Sequence, residues 1–332
     1  MTPQDQATTP TPAQRARALD EVLEVTTSLA TSMRTVIEGK PEVIQTALTA
    51  LLAEGHLLLE DVPGVGKTML AKTLARSIDC SVRRIQFTPD LLPSDITGVS
   101  VFNQDVRAFE FRPGAIFANV VVGDEINRAS PKTQSALLEC MEEGNVTVDG
   151  RTYTLPHPFI VMATQNPIEM EGTYPLPEAQ RDRFMGRVSL GYPNARSEVD
   201  MLASHGQHSP LDDLVPVTDA ATVSRLIHAV RLVHTSESIR HYIVDLAHAT
   251  RDNPAIRLGA SPRATLHLLR AARAHAALAG RDYVLPDDVQ AIVIPVWSHR
   301  LILSGEAAHA RRSPADIMHT ILDRVRIPSP GF

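Results

Sequence analysis

The sequence contains few of the features that mark secreted, membrane or zinc-binding proteins. Only two of its 332 residues are cysteines, Cys80 and Cys140, which are too few for a disulfide framework and lack the spacing of a zinc site. No apolar run approaches the roughly 18 to 20 residues that cross a bilayer, and the polar stretch from Met1 to Arg17 lacks the apolar centre of a signal peptide. We therefore expect a cytoplasmic protein without membrane insertion, in which both cysteines are buried as small apolar residues.

An excess of basic residues is absent as well. The chain has 32 Lys and Arg against 38 Asp and Glu, for a net charge of −6. The acidic surplus lies in the segment up to Pro193, with 17 basic and 24 acidic residues, whereas the segment from Asn194 to Phe332 has 15 and 14. Sequence-independent binding to nucleic acid needs clustered Lys and Arg that neutralise phosphates. We therefore predict no stable nucleic-acid partner.

The order of apolar segments divides the chain in two, and at about 150 residues per domain the length also favours two domains. Up to Pro193, short apolar runs typical of strands buried on both faces alternate with helical segments, which predicts a parallel α/β sheet. Beyond it, Ala and Leu at helical spacing predict helices alone. We therefore predict a disordered tail over 1–14, an α/β core over 15–193 and a smaller all-α domain over 194–332. The strand-like runs are 56–59, 82–87, 119–122, 159–163 and 187–190.

Two further segments of the core predict β-hairpins. The segment between Gly98 and Gly114 contains two short strand-like runs around a polar tip. The segment 145–155 alternates apolar and polar residues on either side of Asp149 and Gly150, a pair favoured in two-residue turns. The residues alone fit either a decorative or a functional role for these hairpins.

The most specific motif follows the first strand-like run and opens a helix. From Pro63 to Thr68 it reads PGVGKT, in which glycines let backbone N–H groups surround phosphates and the helix N-terminus adds positive potential. In such a loop Lys67 reaches the β- and γ-phosphates and Thr68 ligates Mg²⁺. The first glycine of the usual GxxxxGK[ST] pattern is replaced by Asp61, so an acidic side chain has to point away from the phosphates. The candidate ATP-binding residues are Pro63, Gly64, Val65, Gly66, Lys67, Thr68 and Met69.

Polar side chains also follow two later strands. A hydrophobic run ends in Asp124 and Glu125, and α/β sheets bind ligands at such strand ends. We predict that Asp124 holds Mg²⁺, directly or through water, and that Glu125 orients or deprotonates the attacking water. Asn166 follows the next core strand and either contacts the γ-phosphate or the water, or only forms a turn before Pro167.

Three arginines are candidates for contacts with phosphate. Arg181 and Arg183 precede the last strand of the core, where one of them either projects to a neighbouring subunit's nucleotide as an arginine finger or makes a local salt bridge. Arg263 follows Ser261 and Pro262, which suit the N-cap and the first position of a helix. A cation is unfavourable at a helix N-terminus. The position of Arg263 therefore indicates an anionic partner, either a phosphate or a nearby carboxylate.

In this order the motifs resemble those of the AAA+ ATPases, and more closely those of the MoxR family, over roughly 36–327. The resemblance implies an ATP- and Mg²⁺-dependent ATPase with an α/β P-loop core, a parallel five-stranded sheet, two inserted hairpins and a helical lid. It places the arginine finger on Arg183, although Arg181 stands where Leu is usual and Gly123 where Ala is usual. The stretches that carry it are LEDVPGVGKT (59–68), RIQFTPDLLPSD (84–95), DEINRA (124–129), ATQNP (163–167) and EAQ (178–180).

The same resemblance implies a biological role. It suggests a homo-hexameric ring that uses ATP to remodel or mature client proteins, by metal or cofactor insertion, often with a partner that bears a von Willebrand factor A domain. The two hairpins are then expected at the central pore or the client-facing surface. A subunit like the ATPase of magnesium chelatase remains an alternative. A ring motor acting on nucleic acid is a weaker one, because the chain is acidic and lacks a basic, aromatic-lined insert.

Overall fold

The computed structural model describes residues 11–62, 64–166, 174–192, 195–196, 198–199 and 210–328. The first part of the chain is an α/β core with nine strands in the described ranges. In chain order they are β1 (Leu57–Glu60), β2 (Val82–Gln86), β3 (Gly98–Asn103), β4 (Ala108–Pro113), β5 (Val120–Asp124), β6 (Asn145–Val148), β7 (Arg151–Thr154), β8 (Ile160–Gln165) and β9 (Gly186–Val188).

Five of these strands form one parallel sheet, in the order β2-β5-β8-β1-β9. Each of the five strand-like runs predicted from the sequence lies in it. Two helices precede the first strand, α1 (Pro12–Arg34) and α2 (Pro41–Leu52). The helices between the later strands are α3 (Lys67–Ser77), α4 (Pro93–Thr97), α5 (Pro131–Glu143) and α6 (Glu178–Arg181), with a 3₁₀ turn over Ile126–Arg128.

The first helix corrects one predicted boundary. Helix α1 begins at Pro12, after the N-cap Thr11, whose side chain accepts a hydrogen bond from the backbone of Gln14 while the Gln14 side chain accepts one from the backbone of Thr11. This capping box orders residues that the composition alone had placed in the disordered tail over 1–14. Residues 1–10 of that tail lie outside the described residues.

The two predicted hairpins are confirmed. Strands β3 and β4 pair antiparallel, as do β6 and β7, and the turn of the second hairpin has positive φ at Asp149 and Gly150, as its sequence requires. The hairpins touch through Phe111 and Tyr153, whose rings stack with centroids 3.9 Å apart. The two insertions therefore form one joined surface feature.

The second part of the chain is mainly helical. The structure adds two short antiparallel strands to the all-α region that we predicted, because runs of two or three residues are too short to show a period of two. The predicted domain boundary at 193 and 194 lies outside the described residues. The elements are α7 (Ala220–Arg231), α8 (Glu237–Arg251), β10 (Ile256–Leu258), α9 (Pro262–Leu278), α10 (Pro286–Trp297), β11 (Ile302–Leu303), α11 (Gly305–His309) and α12 (Pro314–Arg324).

Successive side chains of a strand point to opposite faces of the sheet, and in β1, β5 and β8 both sets are largely buried, whereas the edge strand β2 is mostly exposed. Leu57 and Leu59 belong to a large apolar cluster that also contains Trp297 from the helical part. Leu58 belongs to a second cluster, shared with Leu137 of α5. The helical part is thus packed onto one face of the core.

Two other expectations concern the cysteines and the membrane. Cys140 is buried as predicted, whereas Cys80 is only partly buried. Burial raises the pKa of each thiol to about 12, so neither is a ready nucleophile. Within the ranges given above, no helix has both the length and the apolar character needed to cross a bilayer.

Candidate active site

Three segments that bear the candidate residues meet at the carboxyl edge of the sheet. The loop after β1 leads to Lys67, β5 leads to Glu125, and β8 leads to Asn166. Strand β8 lies between the other two, with Glu60 of β1 in register with Gln165. The three strand ends are therefore side by side, and the predicted phosphate loop, carboxylates and amide lie together.

The phosphate loop depends on glycines for its backbone. Gly64 and Gly66 have φ angles of 84° and 92°, a region that residues with a Cβ rarely adopt. Helix α3 begins directly after Gly66, and no side chain of the described residues caps it. The N-terminus of a helix carries positive potential, so this position suits an anion.

The other predicted loop residues differ in what they contact. Val65 and Met69 are half-buried and pack against the large apolar cluster, so their side chains support the loop from the core side. Pro63 lies outside the described residues. The Nζ of Lys67 donates to the backbone carbonyls of Asp61 at 2.6 Å and Val62 at 3.0 Å, which holds the ammonium group against the loop.

Asp61, the departure from the usual loop pattern, turns its carboxylate towards the end of β9. One oxygen accepts hydrogen bonds from the Ser189 hydroxyl at 3.0 Å and the Gly191 N–H at 2.7 Å. The other accepts from the N–H of Val62 at 3.1 Å. With both oxygens bound in this way, the acidic side chain points away from the place where the loop would hold phosphates, as the sequence requires.

The candidate magnesium ligands are adjacent. The Thr68 hydroxyl lies 3.2 Å from a carboxylate oxygen of Asp124, a buried residue. Asp124 also accepts from the Thr164 hydroxyl at 3.3 Å and pairs with Arg84 at 2.5 Å. Mg²⁺ is usually held by one or two protein oxygens together with water and substrate phosphates. The Thr68 and Asp124 pair fits that pattern, and the described residues include no cluster of three or more His, Cys, Asp and Glu that would suit a fully protein-bound metal.

Glu125 is held in a fixed position just beyond β5. Its φ of 59° lies in the left-handed region, which is uncommon for a residue with a Cβ. Its N–H donates to the Thr164 hydroxyl at 2.9 Å. Its carboxylate accepts from Gln86 at 2.9 Å and from Arg128 at 3.1 Å. The carboxylate is thus oriented by two side chains, Gln86 and Arg128, while Thr164 fixes the backbone, and it remains about one-third exposed.

Arg84 and Gln86, which contact the carboxylates of Asp124 and Glu125, are not among the candidate residues predicted from the sequence. Arg84 and Gln86 are two residues apart on β2, so their side chains point to the same face of the sheet. Gln86 is in register with Asp124 of the neighbouring strand. A signal for Arg84 and Gln86 was present in the sequence. They are polar residues at positions i and i+2 of a strand, and the neighbouring strand ends in carboxylates. Asn166 is itself buried, and the turn expected after it, at Pro167, lies outside the described residues.

Arg183 and Arg263 lie at the opposite, amino edge of the sheet. The N–H of Met185, next to β9, donates to the carbonyl of His56, which precedes β1, and this fixes the segment of Arg183 at that edge. Both arginines pair with Glu142 near the end of α5, Arg183 at 3.2 Å. A strand rises about 3.3 Å per residue, so the four residues of β1 put about 13 Å between this edge and the phosphate loop. Neither arginine contacts a phosphate in its own chain's loop from that position.

The local salt bridges considered for these arginines take a different form in the structure. The carboxylate that pairs with Arg183 is that of Glu142, and not that of the nearby Asp182 or Glu178. The carboxylate alternative for Arg263 is present, again through Glu142. The Nε of Arg181 is buried without an acceptor among the described residues.

Asp182 instead joins the core to the helical part. It accepts from the Ser261 hydroxyl at 2.9 Å and from the buried Arg300 guanidinium at 2.8 Å. Arg300 also donates to the carbonyl of Phe184 at 2.5 Å and to Nδ1 of His267 at 2.6 Å. Burial, together with the nearby Arg300, lowers the pKa of His267 to about 2, so this imidazole is a neutral acceptor.

Two family models match this chain. The model of the ATPase family associated with various cellular activities (AAA) matches residues 56–186. The model of the AAA lid domain matches residues 248–321. The first range contains the phosphate loop, both carboxylates, Asn166 and Arg183, and the second contains Arg263.

Individual proteins are similar over most of the chain. Chaperone MoxR1 of Mycobacterium tuberculosis is 41% identical over 305 residues, which cover 89% of this chain and 80% of that protein. YeaC of Bacillus subtilis is 51% identical over 293 residues, which cover 88% and 92%. A crystal structure of a protein from Cytophaga hutchinsonii is 39% identical with a TM-score of 0.86, covering 94% of this chain and 98% of that one.

Proposed function

Because the chain belongs to the MoxR family of AAA+ ATPases, we propose that it binds ATP and Mg²⁺ at the carboxyl edge of its sheet and hydrolyses the nucleotide there. The observation that carries this proposal is the meeting of the phosphate loop, the Thr68 and Asp124 pair, and Glu125 at that edge. These are the parts that phosphoryl transfer to water requires.

The residues divide the work between binding and hydrolysis. Lys67 leaves the loop carbonyls to which it now donates and contacts the β- and γ-phosphates, as in other P-loops. Thr68 and Asp124 hold Mg²⁺, which supplies charge neutralisation on the phosphates. Glu125 orients the attacking water or accepts its proton, and Asn166 donates to the water or to the γ-phosphate.

The second part of the proposal is a ring of six copies in which Arg183 acts on the neighbouring subunit's nucleotide. The support is the position of this arginine and of Arg263 at the amino edge, on the side of the sheet away from their own phosphate loop. Both are about one-third exposed, so a phosphate presented by another copy would be accessible to them. An arginine finger of this kind stabilises the charge that develops on the transferred phosphate.

The third part is a chaperone-like role in the cytoplasm. A relative that is 41% identical is named a chaperone, and the hairpins offer a surface for client contact. At the tip of the first, Phe102 and Phe109 are 49% and 70% exposed and pack edge to face with ring centroids 5.3 Å apart. We propose that ATP turnover in the ring remodels client proteins or helps insert their metal or cofactor, with a von Willebrand factor A domain protein as partner.

ATP hydrolysis by the purified chain tests the core of the proposal. We expect hydrolysis that depends on Mg²⁺ and disappears with excess chelator, and a ring by size exclusion in the presence of nucleotide. Glu125→Gln serves as the control for contaminating ATPases. Assembled rings without Mg²⁺-dependent hydrolysis would contradict the proposal, and strong stimulation by DNA at near-physiological salt would favour a nucleic-acid motor instead.

A further inference from the structure

Glu142 joins two arginines that belong to different parts of the chain. It lies one residue before the end of α5, with one carboxylate oxygen 3.2 Å from Arg183 and the other bound to Arg263. Arg183 comes from the segment before β9, and Arg263 from the first turn of α9. A single carboxylate therefore connects core and helical part where both candidate phosphate-binding arginines lie.

The charges at this place explain why a carboxylate is needed. Two guanidinium groups that share one location repel each other, and Arg263 is also unfavourable at the N-terminus of its own helix. The side chains of Arg183, Arg263 and Glu142 are 30%, 36% and 36% exposed. Ion pairs with that degree of exposure contribute little to stability. The arrangement consequently does more for the orientation of the arginines than for the fold.

The arginines keep donors for a further anion. A guanidinium group has five N–H donors, and the pairs with Glu142 use one terminal nitrogen of Arg183 and one of Arg263. Among the described residues these two groups have no other acceptor, so their remaining N–H groups can donate to a phosphate while the carboxylate keeps the two side chains together. Its single negative charge leaves the pair with a net positive charge, which a γ-phosphate would complement.

We propose that Glu142 is a positioning residue that holds Arg183 and Arg263 as one unit towards the nucleotide of the neighbouring subunit. This inference rests on the proposed action of Arg183 in trans. Glu142 itself contacts no nucleotide and acts only through the two arginines. Its loss therefore slows turnover without weakening the binding of ATP to the chain's own phosphate loop.

The first test compares Glu142→Gln with Glu143→Gln. Both changes remove one carboxylate at the end of α5, but no ion pair of Glu143 is found among the described residues. We expect E142Q to lower kcat by roughly tenfold or more, the scale seen when a partner that orients an active-site ligand is lost, and to leave the Kd for a fluorescent ATP analogue unchanged. E143Q should match the wild type in both. Equal kcat in E142Q and E143Q would overturn the proposal, as would an E142Q chain that loses its fold, because that outcome assigns Glu142 a structural role.

The second test asks on which edge Glu142 acts. In a ring that mixes E142Q with Glu125→Gln, some subunit interfaces combine Glu125 from the E142Q subunit with intact Glu142 and Arg183 from the E125Q subunit. Part of the activity should therefore return. E142Q mixed with Arg183→Ala creates no such boundary, and no activity should return. Recovery in the second mixture, or none in the first when size exclusion shows mixed rings, would overturn the proposal.

Arg183→Ala alone separates this inference from the proposed function on which it rests. Wild-type hydrolysis in R183A would contradict the trans arrangement itself. Loss of hydrolysis in R183A together with wild-type kcat in E142Q would leave that arrangement in place and remove only the positioning role of Glu142. Glu142→Asp, which keeps the charge on a shorter side chain, should fall between E142Q and the wild type.

Discussion

The carboxyl and amino edges of the sheet hold different sets of candidate functional residues. At the carboxyl edge, the phosphate loop, a hydroxyl and carboxylate pair suited to Mg²⁺, and Glu125 lie together within a single chain. At the amino edge, about 13 Å away by the length of β1, two arginines pair with Glu142 and no phosphate loop is near. The carboxyl edge thus brings together the groups that we propose bind and hydrolyse ATP, whereas the arginines of the amino edge can take part only if a second copy of the chain presents its nucleotide to them.

The largest expected effect comes from the loop itself. Lys67→Ala should abolish ATP binding, because Lys67 contacts the phosphates of the bound nucleotide before any reaction. Glu125→Gln should keep binding and block turnover, because Glu125 acts on the water. Titration with a fluorescent ATP analogue distinguishes them, and equal affinity in the two variants would contradict the division of roles at the carboxyl edge.

The next effect concerns the amino edge. Arg183→Ala should lower turnover by roughly 10³-fold or more while ATP binding survives, the scale of arginine-finger losses elsewhere. Neither variant is active alone, yet a mixture of R183A with E125Q should regain part of the activity because some boundaries combine an intact Arg183 with an intact Glu125. Arg181→Ala is the matched control.

The mixture is informative only when subunits exchange before the assay. If size exclusion shows mixed rings and hydrolysis is no faster than in either variant alone, Arg183 does not act in trans. Arg181 would then be the next candidate, and a large loss in R181A with normal binding would support it. Such a result would move the proposed role in trans from Arg183 to Arg181.

A smaller effect is expected at the hairpins, which belong to neither edge. Phe102→Ala should leave basal ATPase near the wild type and reduce client work, because Phe102 is about half exposed. Tyr153→Ala should instead lower the melting temperature, because the ring stacks on Phe111 and such pairs contribute about 0.5 to 1.5 kcal/mol beyond burial. ATPase rates and thermal unfolding of both variants check this, and a collapse of basal ATPase in F102A would assign the hairpin a packing role.

The two edges also differ in how far the sequence predicts them. The carboxyl edge follows from short contiguous motifs, because the phosphate loop and the pair Asp124 and Glu125 each lie at the end of a recognisable strand. The contact between Glu142 and Arg263 joins positions 121 apart, and that between Asp182 and Arg300 joins positions 118 apart. No periodicity or local spacing encodes such pairs, since only the packing of the helical part onto the core brings them together.

The same reason explains the errors in fold prediction. The inner strands β1, β5 and β8 were predicted because each contains an apolar run of the usual length. The strands β10 and β11 were not, because they are short and pair with each other across the two helices α9 and α10 that separate them in the chain. The start of α1 was placed too late because the capping box of Thr11 and Gln14 lies within a segment of polar and Pro-rich composition.

The smallest expected effect is a pH dependence of stability at the amino edge. His267 is a neutral acceptor for Arg300, and burial and nearby arginines lower its pKa to about 2 from an unfolded value of about 6.5. Above pH 6.5 both states are neutral at this residue and it adds no pH dependence. Below pH 6.5 the unfolded chain takes up a proton that the folded chain refuses, so the free energy of unfolding falls as the pH falls.

His267→Asn tests this directly because the amide oxygen can replace Nδ1 as the acceptor for Arg300 without titrating. The histidine contributes a slope of at most about 1.4 kcal/mol per pH unit, so between pH 6.5 and 5 the wild type should lose about 1 to 2 kcal/mol more than H267N. Urea unfolding at several pH values measures the difference. Parallel pH profiles would mean that His267 takes up its proton in the folded state, and the contact from Arg300 that joins the core to the helical part would then fail in mild acid. A steeper profile in the wild type would instead mean that His267 stays neutral in the folded chain, so that the contact from Arg300 persists in mild acid while the free energy of unfolding declines.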